Sequence, residues 1–233
     1  TVAAYTHDQS FTDKTNEGFS GGDSTPSAIT GQGATDAYTG TVVLAEDFGD
    51  AQCLTPFEEG TFNGEIVVCE RGEIARVRKG LNVKEGGAGG LILINIDGGA
   101  TTVNADTHLL PAIHVNATDG ETIVDWLSSG TDHTATITGA EITKDETLGD
   151  IAGYFTSRGP KEPHTNIFSP DIAGPGVDIY AAMADDDPFT EDAQTAPYTT
   201  MSGTSMSSPH VAGALALIYS VHPDWTPAQA QSA

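Results

Sequence analysis

The stretch of this chain richest in chemistry is Met201-Ser-Gly-Thr-Ser-Met-Ser-Ser-Pro-His-Val-Ala-Gly213. Small Gly203 and Thr204 come just before Ser205, and an apolar run from Val211 to Val221 follows at once. The pattern predicts a helix whose N-terminus opens beside Ser205. Unpaired backbone N–H groups and the positive end of the helix dipole gather there and can stabilise a developing oxyanion. A hydroxyl so placed could attack a carbonyl carbon. Pro209 is compatible with the first turn, which has no use for its N–H. Gly213, Ala212, Ala214 and Ala216 keep the helix thin enough to lie close to a sheet. Taken alone, the segment also reads as a Ser-rich helix cap.

Other candidate sites give weaker signals. Gly86-Gly-Ala-Gly-Gly90 lacks the Lys-Ser/Thr of a phosphate loop and follows a helix instead of opening one. It is better read as a helix C-cap and a tight turn. Arg71, Arg76, Arg78, Lys79 and Lys84, five of the nine basic residues, read as a solvated helix face. Asp185-Asp186-Asp187 could ligate calcium, but no Gly-containing loop at ligand spacing accompanies it, so it reads as a solvated loop. No cofactor is expected. Cys53 and Cys69, with no CxxC and no further cysteine, exclude a structural zinc site. They are either free thiols or, in an oxidising compartment, a disulfide closing a loop of about 16 residues and contributing roughly 3 kcal/mol.

The elements that must position these residues follow from periodicity. Val2–Tyr5, Gly40–Ala45, Gly64–Cys69 and Gly90–Asn95 read as strands. Ile74, Val77 and Leu81 mark one helix, and Gly120–Ser129 a second, with Thr118 or Asp119 as its N-cap. Strands alternating with helices at this spacing suggest a parallel crossover. After about residue 140, Gly149–Phe155 reads as a strand, Arg158-Gly-Pro160 as a turn, and Ser169–Ala181 as a loop entering a buried strand. Thr226 and Pro227 suit the cap and first position of a last helix. Trp126 and Trp225 are expected in core or edge packing.

Charge narrows the partners. Acidic residues outnumber basic ones 33 to 9, for a net charge of −24. That balance excludes nucleic acid and anionic membrane surfaces as partners, and suits a secreted or salt-adapted protein. No apolar run is long enough to cross a bilayer.

Gly203–Gly213 resembles the nucleophile motif of the subtilisin-like serine proteases, the subtilases. Phe155-Thr-Ser-Arg-Gly-Pro160 and Pro170-Asp-Ile-Ala-Gly-Pro-Gly-Val-Asp-Ile179 resemble the same family. The region before Gly139 resembles the protease-associated (PA) domain that cucumisin-like subtilases carry as an insertion, through Gly64–Gly72, Lys79–Glu85 and Gly86–Asn95. The resemblance implies an α/β fold: a partial subtilisin-like parallel-sheet domain, residues 1–25 and 138–233, with an inserted α+β PA domain, residues 26–137. It implies that Ser205 is the nucleophile and that its own N–H is one oxyanion donor. His210 falls five residues past Ser205 on a helix, where the family uses it for packing and not as the base. His7, His108, His114, His133, His164 and His222 stand in no HGT-like context and are expected on the surface or in strands. The catalytic Asp and His and the oxyanion Asn of the family have no matching motif here. The chain is therefore expected to be an excerpt of a secreted serine endopeptidase, inactive alone. Its partners would be a protein or peptide substrate and the N-terminal part of the same catalytic domain. The alternative is a non-catalytic protein-binding module.

Overall fold

The computed structural model describes residues 1–182 and 198–233, so the Asp185–Asp187 calcium candidate lies outside the described residues. The chain divides into two compact units. One comprises Thr1–Ser10, Thr143–Ala181 and Thr200–Ala233, the other Phe11–Ile142 and Ala182–Thr199. The strands early in the chain are β1 (Val2–Tyr5), β2 (Gln9–Phe11), β3 (Lys14–Ser20), β4 (Ile29–Gly31), β5 (Tyr38–Leu44) and β6 (Ile66–Glu70). Helix α1 (Arg76–Glu85), β7 (Gly90–Ile94), β8 (Ala112–Val115), α2 (Ala117–Leu127), β9 (Thr134–Ile137) and β10 (Ile142–Lys144) follow. The chain ends with β11 (Ile172–Pro175), β12 (Ile179–Ala182), β13 (Tyr198–Met201), α3 (Thr204–Val221) and α4 (Pro227–Ser232). Strand β2 pairs with β10, and β12 with β13, as two-stranded ribbons.

The larger unit is a seven-stranded sheet in the order β4-β3-β9-β5-β6-β7-β8. β5 to β8 run parallel, while β4, β3, β9 and β5 alternate in direction. Gln32 and His114 exchange backbone hydrogen bonds at 2.8 and 2.9 Å, so the two edge strands meet and the sheet closes on itself. The unbroken apolar runs of β6 and β7 have a physical cause: both faces of each strand are covered. Ile66, Val68, Ile92 and Ile94 pack with Ile123 and Trp126, whereas Val67, Cys69, Leu91 and Leu93 pack with Phe62, Val83 and Cys53. Cys53 and Cys69 are joined as a disulfide and both are fully buried.

Residues 11–25 and 138–142 fall in the larger unit, where β3 pairs with β4 and β9. The fold corrects several local expectations. The cap of α2 is Asn116, whose side chain accepts from the Asp119 N–H at 2.9 Å, not Thr118 or Asp119. Gly149–Phe155 is not a strand. Asp150 takes the left-handed conformation (φ +60°), and only Ala152 bridges to Tyr5. Strand β12 is exposed, with Tyr180 70% accessible.

The basic cluster is a solvated face only in part: Lys84 is exposed, while Lys79, Arg71 and Arg76 are buried or paired. Lys79 is fully buried, donates to the Gln52 carbonyl, and has its pKa pushed down to about 8 by desolvation against the pull of Asp50, Glu70 and Glu73. Arg71 donates to Asn95 Oδ1 at 3.2 Å and to the Thr102 carbonyl, and Arg76 forks onto Asp106. The loop between β7 and β8 folds back over these side chains, a contact that helix periodicity cannot register.

Candidate active site

In the smaller unit, β1 and β11 run parallel, with Val2 opposite Ile172 and Tyr5 opposite Pro175. Their small residues allow α3 to settle closely on them. Ala3 and Ala4 are buried, and a Cβ on Gly174 would lie 3.1 Å from Val211 Cγ2. On Gly176 it would lie 2.0 Å from Ser207 Oγ. Ser207 is fully buried, and its hydroxyl has no hydrogen-bond partner among the described residues.

Gly203 caps α3 with extended backbone and no side-chain cap bond. The first turn closes from Met206 N to Gly203 O at 3.0 Å, so the N–H groups of Thr204 and Ser205 precede every internal bond of the helix. Ser205 stands exposed on this turn. Its hydroxyl makes no hydrogen bond among the described residues. Three contacts hold the turn to the segment leaving β11. Gly203 N donates to Gly176 O at 2.7 Å, Asp178 N donates to Ser202 Oγ at 2.8 Å, and Ser202 Oγ donates to Asp178 Oδ1 at 3.2 Å. Gly176 N in turn donates to Tyr5 O at 2.8 Å, linking the turn to β1. A cleft of about 540 Å³ opens beside Thr204, lined by Thr156–Lys161 with Ser169 and Pro170.

His210 lies on α3 and gives its Nδ1–H to the Met206 carbonyl at 2.8 Å, within its own helix. The other histidines lie elsewhere. His114 is buried in β8, receives the Asn104 N–H at Nδ1 and donates from Nε2 to Asn95 Oδ1 at 2.9 Å. Burial, reinforced by the Arg71 charge, pushes its pKa down to about 3. His108 is buried in a loop, neither surface nor strand, and burial lowers its pKa to about 4. His133 donates to the Ser129 carbonyl at 2.7 Å beside Trp126. Trp126 is core, and Trp225 stacks on His222 with ring centroids 3.9 Å apart. Among the described residues no group of three His, Cys, Asp or Glu side chains is placed to hold a metal ion, and no helix is long and apolar enough to cross a membrane.

Sequence reading missed Asp178, Ser202 and Gly176. Their signal was present, since Asp178 falls in one quoted motif and Ser202 stands just before another, but nothing local pairs the two segments.

Parallel strands β1 and β11, an apolar helix lying on them and an exposed serine on its first turn define an α/β unit that presents a hydroxyl at a helix N-terminus. Comparison with known proteins agrees with that class. A profile described as the subtilase family matches residues 78–233. Subtilisin-like protease SBT5.4 of Arabidopsis thaliana is 39% identical over 173 residues, covering 73% of this chain and 22% of its own length. Subtilisin-like protease SBT1.4 of the same plant is 37% identical over 224 residues, covering 88% of this chain and 29% of its own. This chain belongs to the subtilase family, and it spans between a fifth and a third of the length of these relatives. Among solved structures, a psychrophilic subtilisin-like protease from an Antarctic Pseudoalteromonas aligns with 97% of this chain and 42% of its own, at 14% identity and a TM-score of 0.32. A zinc aminopeptidase from Bacillus subtilis aligns with 63% of this chain and 34% of its own, at 16% identity and a TM-score of 0.34. Scores that low carry nothing further.

Proposed function

We propose that this chain supplies the nucleophile of a secreted subtilisin-like serine endopeptidase, and that the observation carrying this is the exposed Ser205 on the first turn of α3. Ser205 Oγ attacks the scissile carbonyl and gives its proton to the base; the C–N bond breaks, the amine leaves with that proton, and water hydrolyses the acyl-enzyme. The Ser205 N–H is one donor to the tetrahedral oxyanion. The base, its orienting Asp and the oxyanion Asn come from motifs not found in these 233 residues. In subtilisin, removing the base alone costs about as much as removing the whole triad. The chain by itself therefore lacks turnover.

Residues 26–137 are, in this reading, a PA domain that shapes substrate access; the motif between Gly64 and Asn95 supports it. The disulfide supports secretion, since such bonds persist in oxidising compartments. The substrate is a protein or peptide, and the cleft beside Thr204 is its candidate seat. The second partner is the N-terminal part of the same catalytic domain. From Val211 to Leu217 helix α3 carries no polar side chain on any side, yet Leu217 is 72% and Val221 69% exposed, a pattern suited to a helix buried in a larger core.

The test is reaction with a serine-directed phosphonate, read by intact mass and peptide mapping. Labelling at Ser205 only when the upstream segment is supplied supports the reading. No labelling in either sample refutes it and favours a binding module.

A further inference from the structure

We propose that Asp178 and Ser202 form a positioning pair that sets the Ser205 hydroxyl; this rests on Ser205 being the nucleophile. Ser202 comes one residue before the cap of α3 and three before Ser205. Its hydroxyl receives the Asp178 N–H at 2.8 Å and donates to Asp178 Oδ1 at 3.2 Å. These two bonds close a small ring, so the Ser202 side chain cannot rotate without breaking both. The second carboxylate oxygen, Oδ2, accepts from Ser10 Oγ at 3.2 Å, which ties the same group to β2. Gly203 N bonds to Gly176 O in parallel with this ring. Consecutive residues 202 and 203 are thus held at both side chain and main chain against the 176–178 turn.

Asp178 is held in the left-handed region at φ +53°. Few residues besides glycine enter it, and Asp and Asn are among them. A strained residue kept in place by converging bonds is the kind found where geometry must be exact to fractions of an ångström. The first turn of α3 carries both the hydroxyl and the N–H groups of the proposed oxyanion site, so a slip of the turn would misplace both. The hydrogen bonds of Asp178 run to Ser10 and Ser202 and not to Ser205. Its role is to position.

The experiment uses the full-length protease with Asp178→Gly, Asp178→Asn, Ser202→Ala, and the Asp178→Gly/Ser202→Ala double variant. Gly keeps the left-handed backbone and the N–H donor while removing both carboxylate bonds. Asn keeps the backbone and an acceptor for Ser202, so it is the conservative rescue. Rates are taken per folded molecule, with folding followed by near-UV circular dichroism. Asp178→Gly and Ser202→Ala are each expected to lower kcat and the phosphonate labelling rate of Ser205 by about five- to fiftyfold, with KM within about twofold. Asp178→Asn restores most of the rate. The double variant falls no further than the worse single, because the pair acts as one unit. Unchanged kcat and labelling in Asp178→Gly and Ser202→Ala would overturn the proposal, as would a KM effect alone or effects that multiply in the double variant. A wild-type protease that Ser205 phosphonylation never reaches would overturn the nucleophile reading itself, and that is visible without any Asp178 variant.

Discussion

Gly176→Ala tests how closely α3 must approach the strands beneath it. Gly176 does not occupy the left-handed region, so an added methyl meets a steric cost and no backbone cost. Its Cβ would stand 2.0 Å from Ser207 Oγ, 2.8 Å from Ala4 Cβ and 2.9 Å from Gly203 O. All three fall well inside the roughly 3.5 Å of an ordinary contact. Ala4 Cβ and the Gly203 carbonyl cannot rotate aside, and the Gly203 carbonyl also receives the first bond of α3. The helix must therefore move. Overpacking of this kind costs roughly 1–3 kcal/mol, and the immobile neighbours put this case near the top of that range. Ser207→Ala removes the worst overlap together with a buried hydroxyl that has no partner, so alone it is expected to be neutral or to stabilise by about 1 kcal/mol. The double variant should recover about 1–2 kcal/mol of the Gly176→Ala loss, well above the ~0.5 kcal/mol expected of independent sites. Urea unfolding of the full-length protein at constant m-value reads all three, and the Ser205 labelling rate shows whether the turn moved. An unshifted midpoint in Gly176→Ala, or a double variant that is simply additive, would refute the packing argument.

Two further outcomes concern the larger unit. Replacing Cys53 and Cys69 together by serine should cost about 3 kcal/mol, the loop entropy of a bond closing a 16-residue separation, and urea midpoints with and without the substitution measure it. A loss under about 1 kcal/mol would mean that the surrounding core, not the cross-link, holds that loop. His108 and His114 have folded pKa values of about 4 and about 3, below the ordinary 6.5, so the unfolded chain takes up protons first as the pH falls. Their contribution is present in full above pH 6.5 and declines as the pH drops toward 4 and 3. His114→Gln should flatten that acid limb of the midpoint-against-pH curve, and an unchanged limb would remove His114 as its source.

Much of the site was legible locally. Glycine at 203, serine at 205 and an apolar run beyond them report a helix N-terminus within a dozen residues, and α3 starts at Thr204. Strands β1, β6 and β7 were readable for the same reason, since each is an unbroken apolar run, introduced by Gly64 ahead of β6 and by Gly90 at the start of β7, that needs no distant partner to be recognised. The edges were harder. Asp150 and Asn116 changed the reading of their segments through a left-handed turn and a side-chain cap, features that one residue decides and periodicity averages away.

Other features depend on distance along the chain. Lys79 and Arg76 lie on a helix whose spacing reads as solvated, yet residues 52 and 106, each about 30 positions or fewer away, bury or pair them. The meeting of Gln32 with His114, which closes the sheet, and of Asp178 with Ser202, which holds the first turn of α3, depends on how distant strands are ordered. The sequence by itself determined the residue types, the local helix and strand preferences and the serine at a helix start, because those depend on neighbours a few residues apart. The tertiary structure alone decided which distant segments share a hydrogen bond, which charges lose water and which glycines must stay bare, because those costs exist only once the chain has brought the atoms within contact.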